Sequence, residues 1–311
     1  MADTSPARGR WAVRPVPPEP RSIVELIRDG TLDAELAATV WLLLEARVPL
    51  LVAGEGQGTG KSTLLGALLD FVPSTTTVVE LAGESETFAW LPQAGELGWP
   101  RIGRLVATGK AIRPDTTLLV AAELSDHLPA YTWGAPARLA IRAASIGYGL
   151  AATIHADSLD AVFDELRRPP VGLDDDELSH LGVVLVLRRP DARRRRIAAA
   201  HYVRPLSRDA HGHVQRLGPA VLATWDPASD RLEQFGWAVI PELAARCSRR
   251  AGDFELELDA RRTLLDQLVR DGDTDPARVR LAISSHRDVT ASAPPVDPSA
   301  PTGRPASPAP N

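Results

Sequence analysis

Leu50, Leu51, Val52 and Ala53 form an unbroken apolar run, the pattern of a strand buried on both faces. Before it the apolar positions follow a helical period. Ser22 stands as an N-cap ahead of Ile23 to Arg28, closed by Gly30. Thr31 and Asp33 open a second helix in which Leu36, Val40, Leu43 and Leu44 recur on one face up to Arg47. After the run, glycines at 54, 56, 58 and 60 interrupt it, and an amphipathic helix opens at Lys61-Ser62-Thr63.

Beyond that helix, β-branched and apolar runs predict strands at Thr76 to Leu81, Thr116 to Ala121 and Leu150 to Ile154, with helices at Ile102 to Ala111, at Ala135 to Ser145 and from Ser158 to Arg167. Val183 to Leu187 and Ile197 to Val203 read as a strand pair around an arginine-rich turn. Further strands are expected at Val221 to Trp225 and Arg231 to Phe235, then helices at Glu242 to Ser248, Asp253 to Arg270 and Pro276 to Ile283. The alternation of strand and helix predicts an α/β fold with a mostly parallel central sheet flanked by helices over residues 22–205, and a small C-terminal α+β region over 206–287. Residues 1–21 read as a flexible arm. The Pro/Ala/Ser tail at 288–311 buries too little apolar surface to order itself.

The glycine-rich loop between strand and helix is a phosphate cradle. Unpaired amides around Gly56, Gly58, Thr59 and Gly60, the positive end of the helix at Ser62 and Thr63, and the Lys61 ammonium suit an anion, while the Ser62 hydroxyl suits Mg²⁺. The chain has two lysines, Lys61 and Lys110, in a background written in arginine. A compact ammonium therefore stands where a planar guanidinium would not fit. In the strict G-x-x-x-x-G-K-[ST] spacing the first glycine would fall on Glu55. Either the loop has one extra residue, or Glu55 takes that position and Gly54 supplies the turn. The strand after the loop helix ends at Glu80, the next at Glu123 and a third at His155. Carboxyl ends of neighbouring parallel strands line one crevice, so these groups can converge with Lys61. A carboxylate there can hold the metal's water shell or orient an attacking water. His155 also has a purely structural reading at a strand end.

Composition narrows the setting. With 311 residues, 44% of them hydrophobic, the chain can bury a substantial core. The longest apolar helical run, Leu36 to Leu44, falls short of the ~20 residues a membrane span needs. A single cysteine, Cys247, excludes an internal disulfide and a cysteine-based zinc site, and suggests a cytoplasmic address. The net charge of −5 argues against a general nucleic-acid binder, and no sequence-specific nucleic-acid contact is expected. The only asparagine is Asn311, so the Asn-Lys-x-Asp guanine-reading element of GTPases cannot exist. The arginines at 188 to 196 read as a solvated hairpin or as a contact for a membrane surface or acidic partner.

Taken together, RSIVELIRDGTLDAELAATVWLLLEARVPLLVAG, GTGKSTLLGALL, IRPDTTLLVAAEL and GYGLAATIHADS resemble, in this order, the secretion and pilus ATPase superfamily of type II and type IV secretion. GYGLAATIHADS is similar to the family's histidine box. The closing helices, ELDARRTLLDQLVRDGDTDPARVRLAI, resemble the archaeal-like and tight-adherence members. The resemblance implies a RecA-like P-loop motor domain that binds ATP and Mg²⁺ at Gly58, Gly60, Lys61, Ser62 and Thr63. It makes Glu123 the Walker B carboxylate, His155 the phosphate-sensing residue and Glu80 a match to the acidic box, with Glu84 as its rival. It further implies a hexameric ring docked on an integral membrane platform protein at the inner face of the membrane.

The chain departs from the family at Ala122-Glu123-Leu124-Ser125, where Gly-Glu-x-Arg is usual, and has almost no room before Ser22 for the domain that ordinarily supplies charge-neutralising arginines. Two other readings follow. One is a nucleotide-binding accessory protein of the same fold with little hydrolysis. The other is a small-molecule kinase using the arginine hairpin as a lid.

Overall fold

The computed structural model describes residues 20–99, 112–209, 211 and 213–292. The expected helix at Ile102 to Ala111 lies outside the described residues, as do the arm up to residue 19 and the tail beyond 292. The helices are α1 (Ile23–Arg28), α2 (Ala34–Glu45), α3 (Lys61–Leu69), α4 (Ala135–Ser145), α5 (Leu159–Arg167), α6 (Asp175–Leu178), α7 (Ile240–Arg246), α8 (Ala251–Asp271) and α9 (Pro276–Ser292). The strands are β1 (Leu50–Ala53), β2 (Thr77–Glu80), β3 (Thr117–Leu124), β4 (Gly149–Ile154), β5 (Val183–Arg188), β6 (Arg196–Tyr202), β7 (Ser207–Arg208), β8 (Val214–Gln215), β9 (Ala220–Asp226) and β10 (Arg231–Gln234).

Eight strands form one sheet in the order β2-β3-β4-β1-β5-β6-β9-β10. The half from β2 to β5 is parallel, and β6, β9 and β10 continue it antiparallel. This is the α/β architecture expected of a RecA-like domain, with helices on both faces of a mostly parallel sheet. β1 lies at its centre. Leu50 and Val52 point into one hydrophobic cluster and Leu51 and Ala53 into the other, because successive side chains of a strand face opposite sides. The first cluster joins α1, α2, α3 and α8; the second joins α4 and α5 to the segment 81–99.

Local caps set the first two helices as expected. The Ser22 hydroxyl accepts from the Glu25 amide at 3.1 Å and the Asp33 carboxylate from the Leu36 amide at 2.8 Å. α2, however, is buried on every face from Leu36 to Leu44 rather than along one stripe. A helix covered all round is a core helix, and α8, more than 200 residues further on, provides the missing cover. β9 and β10 join the main sheet, and Phe254, Leu265, Val279 and Ile283 belong to the same cluster as Trp41. The C-terminal segment thus builds onto the core. α9 runs on to Ser292, so the first residues of the expected tail are helical.

Glu45, at the end of α2, ties these helices together. Its carboxylate accepts from Trp41 Nε1, Arg261 and Arg287, each at 2.6 Å. Both guanidinium groups also lie over the Trp41 ring. The Arg261 side chain is 3% exposed, so removing Glu45 strips one partner from a desolvated charge. Glu45→Ala is expected to cost about 3 kcal/mol in urea unfolding, the low end for a broken buried pair because Arg261 keeps Glu257. A loss below about 1 kcal/mol would show that the cluster is not coupled to folding.

Candidate functional site

The β1 ladder ends where the Gly54 amide donates to the Ile154 carbonyl at 3.2 Å. A Cβ on Gly54 would stand 3.1 Å from the Leu187 carbonyl oxygen and 3.2 Å from the Lys61 stem, whereas Glu55 is exposed. Gly54 is therefore the residue that must be small, and Glu55 can occupy the motif's first position because its side chain points to solvent. Gly56, Gly58 and Gly60 have φ of +76°, +73° and +99°, values that L-residues with a side chain rarely adopt. Alternation of this kind turns successive N–H groups inward as a nest. Thr59 Oγ1 clamps the loop by donating to the Glu55 and Gly56 carbonyls, at 3.0 and 2.7 Å. α3 then begins with no side-chain cap, which leaves its first amides open to an anion.

Lys61 is 7% exposed and its Nζ donates to the Gly54 carbonyl at 3.1 Å. Burial lowers its pKa from the ordinary lysine value, partly offset by the Glu123 carboxylate. Glu123 is the penultimate residue of β3, which runs beyond the expected Ala121 through an irregularity between Ala121 and Leu124. Such a shift of register re-aims a side chain at a strand end. Thr153 and Thr132 hold this end, the Thr153 hydroxyl donating to the Ala122 carbonyl at 2.7 Å and the Thr132 amide to the Glu123 carbonyl at 2.9 Å. His155 follows β4, and its Nε2 accepts from the Gly56 amide at 3.2 Å. That bond assigns the neutral ring's proton to Nδ1.

These groups share one cleft of about 800 Å³, lined by the loop from Gly56 to Thr63 together with Glu123 and His155. The size suits a small-molecule ligand. Glu80 is not among the lining residues. Strand register runs Glu80–Val120–Ala151–Leu50, so Glu80 is level with the start of β1, three strands away across the sheet. At ~4.8 Å per strand and ~3.3 Å per residue that puts it more than ~14 Å from the loop. Glu80 is exposed, on an edge strand whose Val78 is also 49% exposed. Its rival Glu84 is exposed as well and lies outside the cleft lining. Neither carboxylate is among the residues that line the cleft.

The cleft also contains residues that sequence reasoning passed over. His127 meets His155 edge to face with centroids 5.9 Å apart. Tyr131 stands near Glu123; burial, and then that carboxylate, raise its phenol pKa. Both belong to the loop that follows the Glu123 strand, and a loop at a strand's carboxyl end was the available signal. Arg193 and Arg195, from the turn between β5 and β6, also line the cleft.

No family model matches the chain. Two uncharacterized proteins of Methanocaldococcus jannaschii are similar to it. One is 23% identical over 283 residues, covering 86% of this chain and 49% of its own length. The other is 28% identical over 168 residues, covering 51% of this chain and 59% of its own. The chain thus spans about half the length of the curated relatives it matches. Among solved structures, the VirB11 ATPase from the Brucella suis type IV secretion system, in complex with sulphate, is similar at 22% identity and a TM-score of 0.37, over 52% of this chain and 50% of that one. The Yersinia pseudotuberculosis ATPase DotB gives 16% and 0.34, over 88% of this chain and 64% of its own. The Legionella pneumophila ATPase DotB gives 12% and 0.27, over 78% and 63%.

Proposed function

We propose that this chain is an Mg²⁺-dependent ATP-binding and hydrolysing motor subunit of the secretion and pilus type, in the archaeal-like and tight-adherence branch. The observation that carries the reading is the meeting, in one cleft, of the glycine nest, the uncapped start of α3, buried Lys61, and the Glu123 and His155 side chains from separate strands. The amides from Gly58 to Thr63 and the Lys61 ammonium bind the β- and γ-phosphates. Glu123 orients the attacking water and takes up its proton. His155, bonded to the Gly56 amide of the loop, feels the loop move when phosphate enters or leaves.

The residues fit a magnesium ion. Exposed Ser62 and half-buried Glu123 bring a hydroxyl and a carboxylate to the same cleft, and Mg²⁺ typically takes one or two protein oxygens and completes its shell with phosphate and water. When bound, the ion supplies charge neutralisation at the phosphoryl oxygens. Among the described residues no helix is long and apolar enough to cross a membrane. The sequence resemblance supports a ring, most simply a hexamer, working at the cytoplasmic face on an integral membrane platform protein.

One observation favours the accessory reading, a nucleotide binder with little hydrolysis: with Glu80 remote, Glu123 is the single carboxylate among the described residues that line the cleft. Steady-state phosphate release from the purified chain, measured alongside sizing with and without Mg·ATP, separates the two. Turnover near 1 s⁻¹ or above, with nucleotide-dependent assembly, is expected for the motor (order of magnitude,). Binding without turnover would leave the accessory reading standing.

A further inference from the structure

The β5–β6 hairpin carries six arginines from 188 to 196, and among the described residues two of them, Arg194 and Arg196, form ion pairs. Asp191 accepts from the Arg193 and Arg194 amides at 2.8 Å each and from Arg194 Nε at 2.6 Å, which closes the turn. Arg196, 7% exposed, grips Asp230 through two bonds of 2.8 Å and donates to the Asp29 carbonyl at 2.9 Å, which fixes the hairpin's base. These bonds hold the Asp191 and Asp230 carboxyls well below the usual carboxylate range. Among the described residues no carboxylate pairs with Arg188, Arg189, Arg193 or Arg195.

The unpaired charge is directed at the loop. Arg195 Nε donates to the Gly58 carbonyl at 3.1 Å, and its stem runs 3.7 Å from where a Cβ on Gly60 would stand. An Arg189 Nη1 lies 3.6 Å from the corresponding point on Gly58. Arg193 and Arg195 line the same cleft as Lys61. Several guanidinium groups held together repel one another, and they do so beside a nest of N–H groups that is positive already. Only an anion relieves both. Because the hairpin is anchored at its turn and its base, its backbone fixes where these arginines start, and Arg195 is held further by its bond to Gly58.

We propose that Arg193 and Arg195 read the terminal phosphate of the nucleotide from within the same chain, Arg195 by fixing the loop through Gly58 and Arg193 by facing the γ-phosphate. They thereby set the preference for triphosphate over diphosphate. This rests on the ATP reading above and adds to it a source of positive charge that belongs to the core itself.

The test is calorimetric titration with Mg·ADP and with the non-hydrolysable Mg·AMP-PNP. Arg193→Ala/Arg195→Ala is expected to lose roughly ten- to a hundredfold in AMP-PNP affinity, the scale of one or two charge-assisted hydrogen bonds, and about threefold or less in ADP affinity. Arg194→Ala, whose partner is Asp191, should keep the parent's preference. The single variants Arg193→Gln and Arg195→Gln carry the same comparison should the double variant not fold. A folded double variant that still prefers the triphosphate as the parent does overturns the proposal and leaves the ATP reading intact. A parent that binds neither nucleotide overturns both. Mixing the double variant with Lys61→Ala should restore nothing; recovered affinity would assign the arginines to a neighbouring subunit and contradict the same-chain assignment.

Discussion

Lys61→Ala is expected to weaken Mg·ATP binding by about a hundredfold or more while leaving the empty protein as stable as the parent. The first half follows from the loss of charge-assisted bonds to phosphate, worth about 1.5–3 kcal/mol each. The second follows from what Lys61 does without ligand. Among the described residues its side chain makes one hydrogen bond, to the Gly54 carbonyl, and burial disfavours its charged form. A buried ammonium with so little compensation is a cost to the empty fold, and alanine removes it. Calorimetry and thermal melting on the same preparation check both halves. A variant that binds ATP as well as the parent does would remove the loop from the account.

The second large effect is expected at Glu123. Glu123→Gln keeps the shape and a hydrogen-bonding oxygen but cannot accept a proton at neutral pH. Phosphate release should fall by roughly 10²–10⁴-fold, the usual share of a general base, with nucleotide affinity within a few-fold of the parent's. The bonds that hold this end of β3 involve the Ala122 and Glu123 main chain, not the carboxylate, so the strand end should not move. Equal losses of binding and turnover would make Glu123 a ligand-binding residue rather than the base.

Much of the site could be read in the sequence because its signals are local. A glycine-rich turn between an apolar run and a helix specifies loop, strand and helix start within about twenty residues, and β1, α3, α4 and α5 begin or end where the sequence pattern indicates. Glu80 shows where such reading stops. The strand that ends there was legible, but its position across the sheet is set by pairing with β3, and the register that leaves Glu80 level with Leu50 depends on strands far apart in the chain. The arginine hairpin was likewise legible as two strands and a charged turn. Which way it leans is decided by Arg196, whose partners Asp230 and Asp29 lie 34 and 167 residues away. α2 repeats the lesson in the core: its own period shows one apolar stripe, and α8 explains why the opposite face is buried as well.

The most direct measurement is an experimental structure with Mg²⁺ and a non-hydrolysable ATP analogue. The account predicts the β- and γ-phosphates against the amides from Gly58 to Thr63, with Lys61, Glu123, His155 and Arg193 around them. Triphosphate bound elsewhere on the molecule, with this cleft empty, would contradict it.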